Sequence, residues 1–189
     1  MEVQSTKELK ENVVIKSSLE GTCSMVLRLC ALVLTLTAAV VLVADKQTTV
    51  VPVKISDSLP PLDVPVTAKW QYVSAYVYFV VANFIAFAYA TLSFVIALAN
   101  GHKSKLLVTL VTLLDAIMVA LLFSGNGAAW AIGVLAEKGN SHVMWNKVCH
   151  VFDKFCNQAA AACLISLLGS IVFLSLVMLP ALRLHRRRT

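Results

Sequence analysis

Long apolar runs separated by short polar stretches dominate the chain, and its charges mark where each run begins and ends. Gly21 to Ala44 carries one charge, Arg28. The stretch between Lys69 and His102 carries none, and that between Lys105 and Glu137 carries only Asp115. Between Lys154 and Arg183 there is again none. A hydrocarbon core about 30 Å thick is crossed by about 20 helical residues. Each window therefore holds one crossing and is too short for two. The period-two alternation with turns that marks barrel strands is missing, so helices are the spanning elements. The pattern predicts an all-α membrane protein, a four-transmembrane-helix bundle with spans at about 22–44, 72–99, 106–126 and 158–182. Around them lie a tail at 1–20, outer loops at about 45–71 and 127–157, an inner loop at 100–105 and a basic tail at 183–189.

Two details modify this outline. The first outer loop contains Pro52, Pro60, Pro61 and Pro65, which preclude a long helix. Its β-prone runs Thr48–Val51 and Val53–Ile55 allow a short strand or hairpin. The third window would make a straight helix of about 46 Å, longer than the bilayer core. Either the glycines in Ser124-Gly125-Asn126-Gly127 break it, or it projects beyond the membrane.

Composition agrees with burial in lipid. Of the 189 residues, 59% are hydrophobic and 14% charged, which a soluble domain of this size cannot accommodate. The first apolar run is too long for a signal peptide's core and follows twenty polar residues, so it reads as a retained anchor. The net charge of +6 is read as a statement about orientation rather than nucleic-acid binding. Lys7, Lys10, Lys16, Lys103, Lys105, Arg183, Arg186, Arg187 and Arg188 crowd one side. Lys46, Lys54, Lys69, Lys138, Lys147 and Lys154 are spread over the longer loops of the other. Both termini are therefore expected in the cytoplasm. Trp70, Tyr72, Tyr76 and Tyr78 then fall at the outer interface, and the basic tail can also hold anionic lipid.

Arg28 and Asp115 are the charged side chains deep in the spans. A charge at mid-bilayer costs about 2.5–3.5 kcal/mol on insertion scales and seeks a partner. Counting about 1.5 Å per residue from the cytoplasmic side puts Arg28 near 10 Å and Asp115 near 15 Å, within reach of an arginine stem. An ion pair between helices one and three is expected, mainly structural, with Asn83 as a further intramembrane polar group. Small residues recur at helical spacing in Ala82, Ala86, Ala90, Ser93 and Ala97, and in Ala159, Ala162, Ser166 and Gly169. In lipid such stripes let backbones approach, either inside the bundle or between protomers.

The cysteines divide by position. Cys23, Cys30 and Cys163 lie in spans, whereas Cys149 and Cys156 flank a short outer segment and are candidates for a disulfide. On a continuous helix they would stand about 10.5 Å apart, so the bond requires an intervening turn. No C-x-x-C, glycine-rich nucleotide loop or Gly-x-Ser-x-Gly motif occurs. His102, His142, His150 and His185 are scattered, and His142 and His150 beside Glu137 and Asp153 read as solvated loop residues. No catalytic, cofactor or metal site is expected, and an enzyme is the least supported class.

Arg28 in the first span, Asp115 in the third and the short basic inner loop together resemble the Casparian strip membrane protein (CASP) family of plants. The stretches Val43–Thr48, Asp57–Pro61, Val64–Trp70, Tyr78–Asn83, Ala120–Ala129 and Lys147–Cys156 are similar to its CASP-like branch. The resemblance covers about residues 22–185 and extends distantly to the MARVEL four-helix proteins. It implies a multi-pass plasma-membrane protein that forms homo-oligomers and hetero-oligomers with related members, organises a membrane domain and recruits cell-wall-modifying enzymes through its outer loops. Founding members carry an aromatic-rich run in the first outer loop where this chain reads Asp57-Ser58-Leu59-Pro60-Pro61-Leu62-Asp63-Val64, so the implied role is a scaffold not tied to the Casparian strip. The alternative function is a small channel or transporter subunit using Arg28, Asp115 and Asn83.

Overall fold

The computed structural model describes residues 2–53, 62–100, 105–143 and 145–186. Among the described residues there are four α-helices: α1 (Glu2–Val43), α2 (Ser74–Asn100), α3 (Lys105–Lys138) and α4 (Asp153–Arg186). Strands β1 (Lys46–Val53) and β2 (Leu62–Lys69) form an antiparallel hairpin between α1 and α2. Each helix contains an apolar stretch long enough to cross a membrane: Gly21–Val43, Ser74–Ala99, Leu106–Lys138 and Asp153–Pro180. Each helix packs on the next, and α4 closes back on α1. The hairpin and the loop between α3 and α4 share one end of the bundle, opposite the termini.

The packing is that of a lipid-solvated bundle, with large apolar side chains outside and small ones between the helices. Val33, Leu92, Leu113 and Leu168 are exposed on the circumference, while Ala31, Ala38, Ala86 and Ala162 are buried. Small residues bring backbones close enough for van der Waals contact, which is what drives association in a solvent as apolar as leucine. A Cβ added at Gly169 would stand 3.4 Å from Thr35 Cγ2 and 3.9 Å from the Thr35 nitrogen, so α4 nearly touches the α1 backbone there. Phe79 and Phe173 fill the wider gaps nearer each end.

Several boundaries differ from the sequence reading, each for a local reason. Residues 2–20, ahead of the membrane-crossing stretch Gly21–Val43, are helical and continuous with α1; no glycine or proline interrupts them. The glycines of the third window do not break α3, which runs on to Lys138, so the following loop begins at 139 and not 127. Gly125 instead packs against α2, where a Cβ would lie 3.4 Å from that of Ala82. The fourth helix starts at Asp153, five residues before the expected 158, because Gln47 Oε1 accepts the otherwise unpaired Phe155 N–H at 2.8 Å. The expected hairpin is present, with Thr48–Val51 inside β1 and Leu62–Lys69 as its second strand; Lys54 and Ile55 lie outside the described residues. Asp57–Pro61, His102 and Lys103 of the inner loop, and Arg187 and Arg188 of the tail lie outside the described residues.

The hairpin register opposes Val50 to Pro65, Pro52 to Asp63 and Thr48 to Thr67. The two threonine hydroxyls meet at 3.0 Å, as side chains do at the closer, non-hydrogen-bonded pairs. Pro65 and Pro52 occupy pairs of that same class, where the missing N–H would have pointed away from the partner strand.

At the C-terminus of α3 the chain reverses through Gly139, whose φ of 67° lies in the left-handed region. Its N–H donates to Leu135 O at 2.9 Å, and a Cβ there would stand 2.7 Å from the Trp145 carbonyl oxygen. Gly139→Ala is therefore expected to lower the midpoint of thermal unfolding in detergent and to speed amide exchange at Asn140 and Trp145, whose backbones pair across this turn. Gly133→Ala, on the same helix with open space at its Cβ, should do neither.

Candidate functional site

The bundle interior holds two polar layers at different depths. In the layer nearer the termini, Arg28 of α1 reaches Asp115 of α3, Nη2 to Oδ2 at 3.1 Å and Nη1 to Oδ1 at 3.5 Å. These helices stand across a diagonal of the bundle, so the pair passes through its centre. Both side chains are shielded, with Arg28 4% and Asp115 1% exposed. From α2, Ser93 Oγ accepts the Nη1 hydrogen at 2.8 Å. Tyr89 donates its hydroxyl proton to Asp115 Oδ1 at 2.8 Å. A buried ion pair is held by further hydrogen bonds to its remaining atoms; α2 supplies two of these from residues one turn apart, while Arg28 Nε has no partner among the described residues.

The second layer lies eleven residues further along α3, about 16 Å at 1.5 Å per residue. Ser166 of α4 donates to Asn83 Oδ1 of α2 at 2.9 Å, across the other diagonal. Asn126 of α3 donates to Ser166 Oγ at 3.0 Å, and both asparagine amides also bond the carbonyl one turn back in their own helices. Asn83 thus belongs to a layer separate from Arg28 and Asp115, and the three groups named for a conducting path are not brought together.

The remaining candidate residues are placed as follows. Ala82, Ala86, Ala90, Ser93, Ala97, Ala159, Ala162, Ser166 and Gly169 are all buried within the protomer. Cys149 and Cys156 form a disulfide with Cα atoms 5.7 Å apart, because a turn at Val148–Val151 folds the chain back. Cys23 and Cys30 are exposed and Cys163 is buried. Tyr89, Asn126, Gln47 and Gln158 were not singled out from the sequence. The signal available for Tyr89 was its spacing of four from Ser93; for Gln47 and Gln158, whose partners are backbone groups, the sequence carries none.

At the hairpin end, α1, β1 and α4 are tied together by polar bonds. Gln47 caps Phe155, and Gln158 Nε2 donates to Val41 O at 3.0 Å. Asp45 sits at this junction, 2% exposed, with Oδ2 unpaired among the described residues. Its burial pushes the carboxyl up from 3.8 to about 6, against the pull of Lys154.

This architecture is that of a multi-pass four-helix membrane protein organised around a buried intramembrane ion pair. Residues 17–172 match the Casparian strip membrane protein domain, and the chain belongs to that family. It is 60% identical to CASP-like protein 1E2 of Glycine max over 99% of this chain and all of that one. To CASP-like protein 1E1 of Populus trichocarpa it is 55% identical over 94% and 91% of the two chains, and to that of Arabidopsis thaliana 53% over 85% of each. No solved structure matches the chain.

Two outcomes are expected. Asp115→Ala strands the Arg28 guanidinium and should cost about 3–5 kcal/mol in reversible unfolding from mixed micelles, whereas the double change Arg28→Met, Asp115→Leu should cost less than the two single changes added. The raised Asp45 carboxyl makes the folded state bind its proton more tightly than the unfolded chain does. That contribution is complete below pH 3.8 and is lost as pH rises through about 6. The wild-type unfolding midpoint should climb on acidification from pH 7 to 4.5, and Asp45→Asn should remove the climb by stabilising the protein at pH 7.

Proposed function

We propose that this protein is a plasma-membrane scaffold that self-associates laterally, organises a membrane domain and recruits cell-wall-modifying partners at its hairpin end. The observation carrying this reading is the division between interior and surface. The polar layers knit one protomer together and are shielded within it, while the apolar circumference and the hairpin end are presented to other molecules. The orientation follows from chemistry: a disulfide persists in an oxidising compartment, so the Cys149–Cys156 end faces outward and both termini lie in the cytoplasm. The excess of Lys and Arg on the opposite side agrees.

The stripes of Ala82–Ala97 and Ala159–Gly169 are taken up inside the protomer. Contact between protomers then falls on the exposed face of α3, through Ala120, Ser124, Gly127 and Ala131. A Cβ at Gly127 meets nothing within 4 Å, which leaves room for a neighbouring helix to approach. Val50, Tyr72 and Trp145 are exposed at the hairpin end and offer apolar contacts to partners outside the membrane.

The test is oxidative cross-linking in native membranes, in a chain whose Cys23, Cys30 and Cys163 are replaced. Gly127→Cys should give a dimer band and Leu92→Cys, on the exposed face of α2, should not. A monomer at both positions would refute self-association through α3.

A further inference from the structure

A cleft of about 210 Å³ opens at the hairpin end between α3 and α4, backed by the Cys149–Cys156 disulfide. Its lining changes along the membrane normal. Toward the bundle centre the walls are Trp130, Gly133 and Ala160; at the mouth stand Glu137, Lys138 and Asn157. Trp130 lies eight residues below Lys138, about 12 Å along α3, so the cleft spans the depth at which hydrocarbon gives way to headgroups.

Three observations point to an amphiphilic occupant. Tyr76 of α2 also lines the cleft, is 4% exposed, and its hydroxyl has no hydrogen-bond partner among the described residues. An acceptor on a ligand seated in the cleft would satisfy it. A Cβ built on Gly133 meets nothing within 4 Å, so the helix leaves space there rather than packing. At the mouth, adjacent side chains of opposite charge, Glu137 and Lys138, are exposed and have no ion-pair partner among the described residues. The volume is below the roughly 300–1,000 Å³ of sites that enclose a whole small ligand, so it suits one end of a longer molecule.

We infer that this cleft is a binding site for a zwitterionic phospholipid of the leaflet at the hairpin end. The first methylenes of one acyl chain lie along Gly133 and Ala160, and an ester carbonyl accepts from the Tyr76 hydroxyl. The phosphate meets Lys138 and the headgroup cation meets Glu137. A sterol, with a single hydroxyl and no charge, leaves both mouth residues without partners. An anionic lipid leaves Glu137 opposed to like charge.

Native mass spectrometry of the full chain tests this, with detergent micelles supplemented by phosphatidylcholine, phosphatidylglycerol or sitosterol, one at a time. The wild type should retain one phosphatidylcholine adduct. Gly133→Phe, which fills the open space, should lower its occupancy at least tenfold. Gly127→Phe, equally bulky on α3 but away from the cleft, should retain the adduct even if it abolishes self-association, so the two readings fail separately. Glu137→Lys should reverse the preference toward phosphatidylglycerol, which keeps the test valid if Gly133→Phe does not fold. Equal phosphatidylcholine retention by wild type and a folded Gly133→Phe, a wild-type preference for sterol or phosphatidylglycerol, or an unchanged preference in Glu137→Lys would overturn the assignment.

Discussion

A guanidinium and a carboxylate meeting across the diagonal of a four-helix bundle fix how this protein is built. Helices in lipid gain little from hiding leucines, because the surrounding chains are equally apolar. Rotation and register must be set by contacts that tolerate no alternative. Turning α1 or α3 away from the Arg28–Asp115 pair would expose a charge to hydrocarbon. Tyr89 and Ser93 extend the constraint to α2, so three helices are locked at one depth. The Asn83–Ser166–Asn126 layer fixes α4 against α2 and α3 at a second depth. With both diagonals tied at separate levels, the helices resist sliding as well as rotation.

The hairpin end is organised by different means. There the chain leaves the apolar region, and backbone groups at helix termini need partners. Gln47 and Gln158 provide them across more than a hundred residues of sequence, joining the exit of α1 to the entry of α4. The disulfide and the Gly139 turn hold the second loop beside that junction. Asp45 is an anomaly within it: a carboxyl kept from water with one oxygen unpaired among the described residues, whose charge opposes folding at neutral pH.

The spans were legible because lipid demands long uncharged windows, and charge placement alone located all four. The ion pair was legible for the same reason: two charges that hydrocarbon tolerates poorly, at matching depths, have few places to go. Helix ends were less so. The extension of α3 to Lys138 depends on Gly125 packing against Ala82, a tertiary contact that overrides glycine's local tendency to interrupt. Small-residue stripes showed which faces approach another helix without saying whose helix it is, and the structure places them inside the protomer. Tyr89 was obscured because a tyrosine in an apolar run looks like packing until its hydroxyl finds a carboxylate.

The prolines of the hairpin have a consequence under the proposed lateral self-association. A two-stranded ribbon has two free margins, and crowding many copies side by side would ordinarily invite those margins to zip into an indefinite fibre. Pro65 in the middle of one margin and Pro52 toward the tip of the other each delete a donor that such growth would require. Were copies to be packed side by side as proposed, their ribbons would remain separate, because neither margin offers an unbroken row of donors.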